Sequence, residues 1–135
     1  MVVDTSALVA ILFNEPDAED FEDALDRSER RLISAVSVLE TSMVLESRYG
    51  EIAGHELDLL IYKLPIEIRP ADSDQLHWAR RAFRMYGRGR HPAGLNFGDC
   101  FSYALARSTG EPLLFKGDDF SKTDLVSALI NSGGD

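Results

Sequence analysis

The chain has a single cysteine, Cys100, among 135 residues, and only three histidines. One cysteine excludes an intrachain disulfide framework and any zinc site built on thiolates. Scarce histidine turns the search for metal ligands from nitrogen and sulfur toward oxygen. Long apolar runs are also missing. The longest, Ala7 to Phe13, is far below the roughly 20 residues that cross a bilayer, so no membrane partner is expected. An unpaired thiol suits a reducing compartment, and a soluble, cytoplasmic domain is the expectation. Acid is absent from one stretch in particular: Gln75 to Gly98 contains no Asp or Glu.

What is present describes an ordinary globular chain. Hydrophobic residues make up 44% and charged residues 27%, a balance that supports one packed core. At this length a chain buries about two-thirds of its unfolded surface, and one domain over residues 1–135 is expected. The net charge of −9 argues against a nucleic-acid binder until its distribution is examined. The acid-free stretch holds Arg80, Arg81, Arg84, Arg88 and Arg90 with His77 and His91. It carries +5, leaving −14 on the remainder.

Short apolar runs alternate with helical patterns. Met1–Val3 reads as a buried strand, after which Asp4, Thr5 or Ser6 caps a helix through Phe13. Pro16 opens a second helix to about Ser28. Arg31–Val36 reads as a strand ended by Ser37, and Val38–Tyr49 as a helix stopped by Gly50. His55–Leu64 is helical up to Pro65, and Ile66–Pro70 is a brief strand. Asp72 or Ser73 caps an arginine-rich helix ending near Gly87, with Leu76, Ala79 and Phe83 expected to face inward. Residues 87–94 are a glycine loop. Asn96–Asp99 starts a helix to Thr109, Gly110 ends it, and Pro112–Lys116 is the last strand. Gly133-Gly134 predicts a loose C-terminus. This order predicts an α/β fold with a mostly parallel sheet.

In such a sheet, ligands bind beyond the carboxyl ends of the strands. Asp4 follows the first strand, Glu40 opens the helix after the second, and Asp118 and Asp119 follow the last. Asp99 begins the helix beside that last strand. Carboxylates gathered on one rim raise each other's pKa, a conflict that a hard divalent cation removes. Each also has a plainer explanation as a helix cap or a polar turn. Glu40 resists that explanation, because it sits at the edge of an apolar helix. A basic glycine loop leading into Asp99 suits a phosphodiester substrate, with Arg84, Arg88 and Arg90 as phosphate contacts and Lys116 as an addition to them. Trp78 is expected in the core.

The segments Met1-Val2-Val3-Asp4-Thr5-Ser6-Ala7-Leu8, Leu39-Glu40, Leu95-Asn96-Phe97-Gly98-Asp99-Cys100 and Leu113-Leu114-Phe115-Lys116-Gly117-Asp118-Asp119-Phe120 together resemble the PIN-domain family. More narrowly, they resemble the VapC-type toxins of type II toxin–antitoxin pairs. The resemblance covers essentially the whole chain. It implies a three-layer α/β/α fold with four to five strands and a metal-dependent endoribonuclease using Mg²⁺ or Mn²⁺. It also implies a cognate VapB-like antitoxin and a homodimer. Carried over, Asp4, Glu40 and Asp99 are the first three acids of the site. Many PIN domains place Ser or Thr, then an acid two residues on, before Asp-Phe. Phe115 and Gly117 stand in those places here, and Asp119 before Phe120 takes the fourth role. Thr5, Ser6 and Asn96 are expected to orient the acids. Two other classes fit parts of the pattern. A phosphoacceptor receiver domain normally needs an acidic pair after its first strand, which Asp4 lacks. A non-catalytic interaction module would use the acids only as caps.

Overall fold

The computed structural model describes residues 1–129. The order is β1 (Val2–Val3), α1 (Thr5–Leu12), α2 (Ala18–Arg27), β2 (Leu32–Ser34), α3 (Ala35–Tyr49), α4 (Ala53–Lys63), β3 (Glu67–Arg69), α5 (Ser73–Tyr86), α6 (Phe97–Thr109) and β4 (Leu113–Leu114). A 3₁₀ turn at Phe120–Lys122 follows. The expected loose C-terminus at Gly133-Gly134 lies outside the described residues.

The four strands form a parallel sheet in the order β3-β2-β1-β4. Parallel neighbours require crossovers, and each is a pair of helices. β1, β2 and β4 are short and buried because both faces are covered, whereas the edge strand β3, Glu67–Arg69, is largely exposed. Val2, Leu32 and Leu113 point into one core with Leu95, Tyr103 and Ala104. Val3, Ile33 and Leu114 point into the other with Leu8, Phe21, Leu25 and Leu57. Alternate residues of the same strands thus serve opposite layers, which makes the architecture α/β/α. Leu113 also bridges to Ser127 beyond the β4 edge. No helix among the described residues is long and apolar enough to cross a membrane.

The caps account for most boundaries. Asp4, Ser34, Asp72 and Asn96 each accept a backbone N–H at the start of a helix. Gly110 ends α6 in the left-handed region, at φ 75°. Several expected boundaries move: α4 starts at Ala53 and not His55, and β4 keeps only Leu113–Leu114 of Pro112–Lys116. β2 ends at Ser34, not Ser37, because the Ser34 hydroxyl caps α3 through the Val36 N–H at 3.2 Å and draws Ala35-Val36 into the helix. Likewise α2 begins at Ala18, with Pro16 in the preceding turn. Trp78 packs partly buried against the core as expected. Leu76 and Phe83 do not face inward: they are 50% and 44% exposed.

The chain grows outward from β1 to β3 and then returns to place β4 on the other side of β1. That reversal opens a crevice beyond the ends of β1 and β4, and the residue leaving β1 is Asp4.

Candidate active site

Asp4 is buried, at 4% exposure, and both of its oxygens accept hydrogen bonds. Oδ2 accepts the Ser6 N–H at 3.0 Å and the Ser6 hydroxyl at 2.6 Å. Oδ1 accepts the hydroxyl of Ser102, 2.5 Å away on α6. Because Ser102 spends its proton there, the buried Ser37 hydroxyl at 3.2 Å must donate to Ser102. Ser6 Oγ in turn accepts the Lys116 backbone N–H at 2.9 Å, tying the end of β4 to the same carboxylate. Donors of this kind replace the water that a buried carboxylate loses. Thr5 donates to the Ser37 carbonyl at 3.1 Å, and Thr41 lies within hydrogen-bond reach of both groups.

Glu40, on α3, is half-buried against α6. A Cβ on Gly98 would come within 2.5 Å of both Glu40 carboxylate oxygens, so the missing side chain is what leaves room for the acid. Burial pushes the Glu40 pKa up, the Thr5 hydroxyl partly offsets this, and the charge of Asp4 adds to the rise.

Asp99 forms a reciprocal cap with Asn96. Asn96 Oδ1 accepts the Asp99 N–H at 2.9 Å, and Asp99 Oδ2 accepts the Asn96 N–H at 3.0 Å. Its carboxyl is nonetheless pushed up to about 7. Burial is the main cause; the Asn96 amide opposes it, and the charges of Asp4, Asp119 and Glu40 raise it further. All four expected acids therefore share one field. Asp118 is not among the charges acting on Asp99, and its carbonyl accepts the Ser121 hydroxyl.

None of these four acids forms an ion pair among the described residues. Like charges left without a lysine or arginine fit an all-oxygen site for a hard divalent cation. As they stand, no three of them among the described residues come close enough to clasp an ion. Asp4 is turned to its serines and Asp99 to the Asn96 amide.

The arginines gather at a different edge of α6. Arg80, Arg84, Arg88 and Arg90 surround a groove of about 710 Å³ whose apolar lining includes Leu76, Phe83 and Phe97. This explains why Leu76 and Phe83 face outward. The Arg90 guanidinium lies 5.0 Å over the Phe83 ring. Lys116 is not part of this groove. Its ammonium is held by Glu15 at 2.8 Å and Asp17 at 3.1 Å, which also raise its pKa. Cys100 borders the groove as a buried thiol pushed up to about 11, chiefly by burial and then by Asp99.

Sequence reasoning did not find Ser102 or Gly98. Both were discoverable in principle, since Gly98, Asp99 and Ser102 fall along one side of the α6 start. Their partners, Glu40 and Asp4, are remote in the chain.

A PIN-domain family model matches residues 1–126. Ribonuclease VapC30 of Mycobacterium tuberculosis is 53% identical over 130 residues, covering 96% of this chain and 99% of that protein. A ribonuclease VapC of Mycolicibacterium smegmatis is 55% identical over 127 residues, covering 94% of this chain and 98% of that protein. Among solved structures, Mycobacterium tuberculosis VapC20, described as a sarcin-ricin loop cleaving toxin, superposes with a TM-score of 0.76 at 18% identity. That match covers 93% of this chain and 95% of the other.

Proposed function

The chain belongs to the PIN-domain family, and from that premise we propose that it is a metal-dependent endoribonuclease, the toxin of a toxin–antitoxin pair. The observation that carries this reading is that the charges of Asp4, Glu40 and Asp119 act together on Asp99 and none of the four pairs with a lysine or arginine among the described residues. Asp4 and Asp99 would hold the principal ion, Mg²⁺ or equally Mn²⁺, and Glu40 and Asp119 would complete its shell. The ion supplies Lewis acidity toward a phosphate oxygen and lowers the pKa of water.

The protein's own residues do the rest. Ser6 and Ser102 hold the Asp4 carboxylate at the end of β1, one serine on each oxygen. Gly98 admits Glu40 to the same rim. Arg84, Arg88 and Arg90 are exposed and would hold flanking phosphates, supplying position rather than sequence reading. Attack by water would leave 3′-hydroxyl and 5′-phosphate ends. Lys116 has no place in this set, because Glu15 and Asp17 occupy its charge.

The competing reading of the acids as mere caps is weakened by two of them. Asp4 and Asp99 do cap helices, but Glu40 lies within α3 and Asp119 makes no side-chain cap. A VapB-like antitoxin is the expected partner, docking on the apolar surplus of α3 and α4, where Leu39, Met43, Ile52 and Tyr62 are exposed. Phe21 and Leu25 of α2 are consumed by the core and contribute nothing to such a surface. A homodimer remains part of the proposal.

The test is incubation of the purified chain with a mixed RNA pool, in Mg²⁺ and then in EDTA. Cleavage should require the ion and vanish in Asp4→Asn and Asp99→Asn, with both variants folded. Cleavage in EDTA, or at the unaltered rate in either variant, would refute the metal assignment.

A further inference from the structure

We propose that the groove between α5 and the start of α6 seats one unstacked base of a single-stranded RNA, with Phe97 as the stacking face. The inference rests on the ribonuclease reading and adds where an unpaired base of the substrate would go.

Phe97 is 76% exposed although it stands in the first turn of a well-packed helix. Its one aromatic neighbour is Phe101, at 5.4 Å and 60°, so the contact is edge-on and leaves a ring face open. Of the two other rings lining the groove, Phe83 has Arg90 over it and Phe101 is the partly buried neighbour of Phe97. Phe97 faces the groove with Cys100 and Phe101, one helical turn on, while Asp99 lies two residues away in the same first turn and faces another side of α6. The groove's volume of about 710 Å³ falls in the range of sites that enclose a small ligand.

Charge decides the kind of occupant. Arg80, Arg84, Arg88 and Arg90 line the groove, and none pairs with an acid among the described residues. A ligand must therefore combine a flat apolar part with negative charge, as a nucleotide does. A second copy packed here about a two-fold axis through the groove would bring its own arginines close to these, an unfavourable pairing. A duplex keeps its bases stacked inside, so the seat requires an unpaired strand.

The test is binding of a fluorescent oligoadenylate, and of its duplex with oligouridylate, in EDTA so that cleavage cannot intervene. Phe97→Ala should weaken single-strand binding by about 5- to 150-fold, the span expected for losing one stacked base. Duplex binding and the salt dependence should stay as in the wild type. Phe97→Trp should restore affinity, with its added emission quenched by adenine. Single-strand affinity unchanged in Phe97→Ala, or lost equally for duplex, overturns the seat. So does a wild-type dimer that Phe97→Ala splits in sedimentation, which would give the groove to a second copy. Wild-type cleavage of RNA alongside unaltered Phe97→Ala binding removes the seat and leaves the ribonuclease standing. Absence of any wild-type cleavage removes the ribonuclease reading and this inference with it.

Discussion

Replacing Asp99 with asparagine should stabilise the metal-free protein at pH 8, and the difference should close at pH 4. The Asp99 carboxyl is raised from 3.8 to about 7 in the fold. Between those values the folded chain holds a proton that the unfolded chain has released, so stability falls as pH rises through the window. A shift of this size sets a ceiling of about 4 kcal/mol. Asp99 is only partly buried, and screening by solvent reduces the expected effect to about 2 kcal/mol. With an unfolding entropy of roughly 2.1 cal/mol/K per residue, that is about 7 °C in Tm. Asparagine keeps the shape of the side chain and can accept the Asn96 N–H, so the cap survives. Thermal melts in EDTA at the two pH values measure the effect. Equal melting at pH 8, or a gap that persists at pH 4, would refute the account of burial and like charge at this residue.

Gly98→Ala should be neutral or slightly stabilising to the fold, since alanine is the better helix former by about 1 kcal/mol. Its Cβ would displace the Glu40 carboxylate, so cleavage should fall while Tm holds; a fully active variant would contradict the placement of Glu40. Ser102→Ala removes the donor to Asp4 Oδ1 and should weaken Mn²⁺ binding about 10- to 100-fold, read by titration rather than turnover. Unchanged affinity would make Ser102 irrelevant to the site. Arg88→Ala and Arg90→Ala should each lower the log–log salt slope of oligoadenylate binding by about 0.7. Lys116→Ala should leave that slope alone, and a drop would return Lys116 to the substrate path.

The order of elements was readable because the punctuation is chemical and local. Asp4, Asp72 and Asn96 cap, Gly50 and Gly110 stop, and short apolar runs fill the gaps. The boundary at Ser34 was not readable, because Ala35-Val36 is equally apolar as strand or helix and only the cap decides. Leu76 and Phe83 show a second limit. Periodicity marks an apolar face of α5 but not whether that face meets a core or lines a groove. At the site, Asp4, Glu40 and the Asp118-Asp119 pair stand out by following strands and Asp99 by opening a helix, while the preference for Asp119 comes from the family resemblance. Asp4 and Ser102, 98 residues apart, meet because α6 packs across the end of β1; helical spacing sets Ser102 on the side of Asp99 but does not name Asp4 as its partner. The fate of Lys116 was hidden for the same reason, since its partners lie in the turn after α1.

The central claim is that these acids jointly take one divalent cation in place of a proton. Calorimetric titration with Mn²⁺ at pH 7, repeated in buffers of different ionisation enthalpy, tests it directly. The account requires a saturable site that releases protons on binding, since the Asp99 carboxyl is raised into that pH range and Glu40 is raised with it, and that is lost in Asp4→Asn. An isotherm that Asp4→Asn reproduces, or binding without proton release, would contradict it.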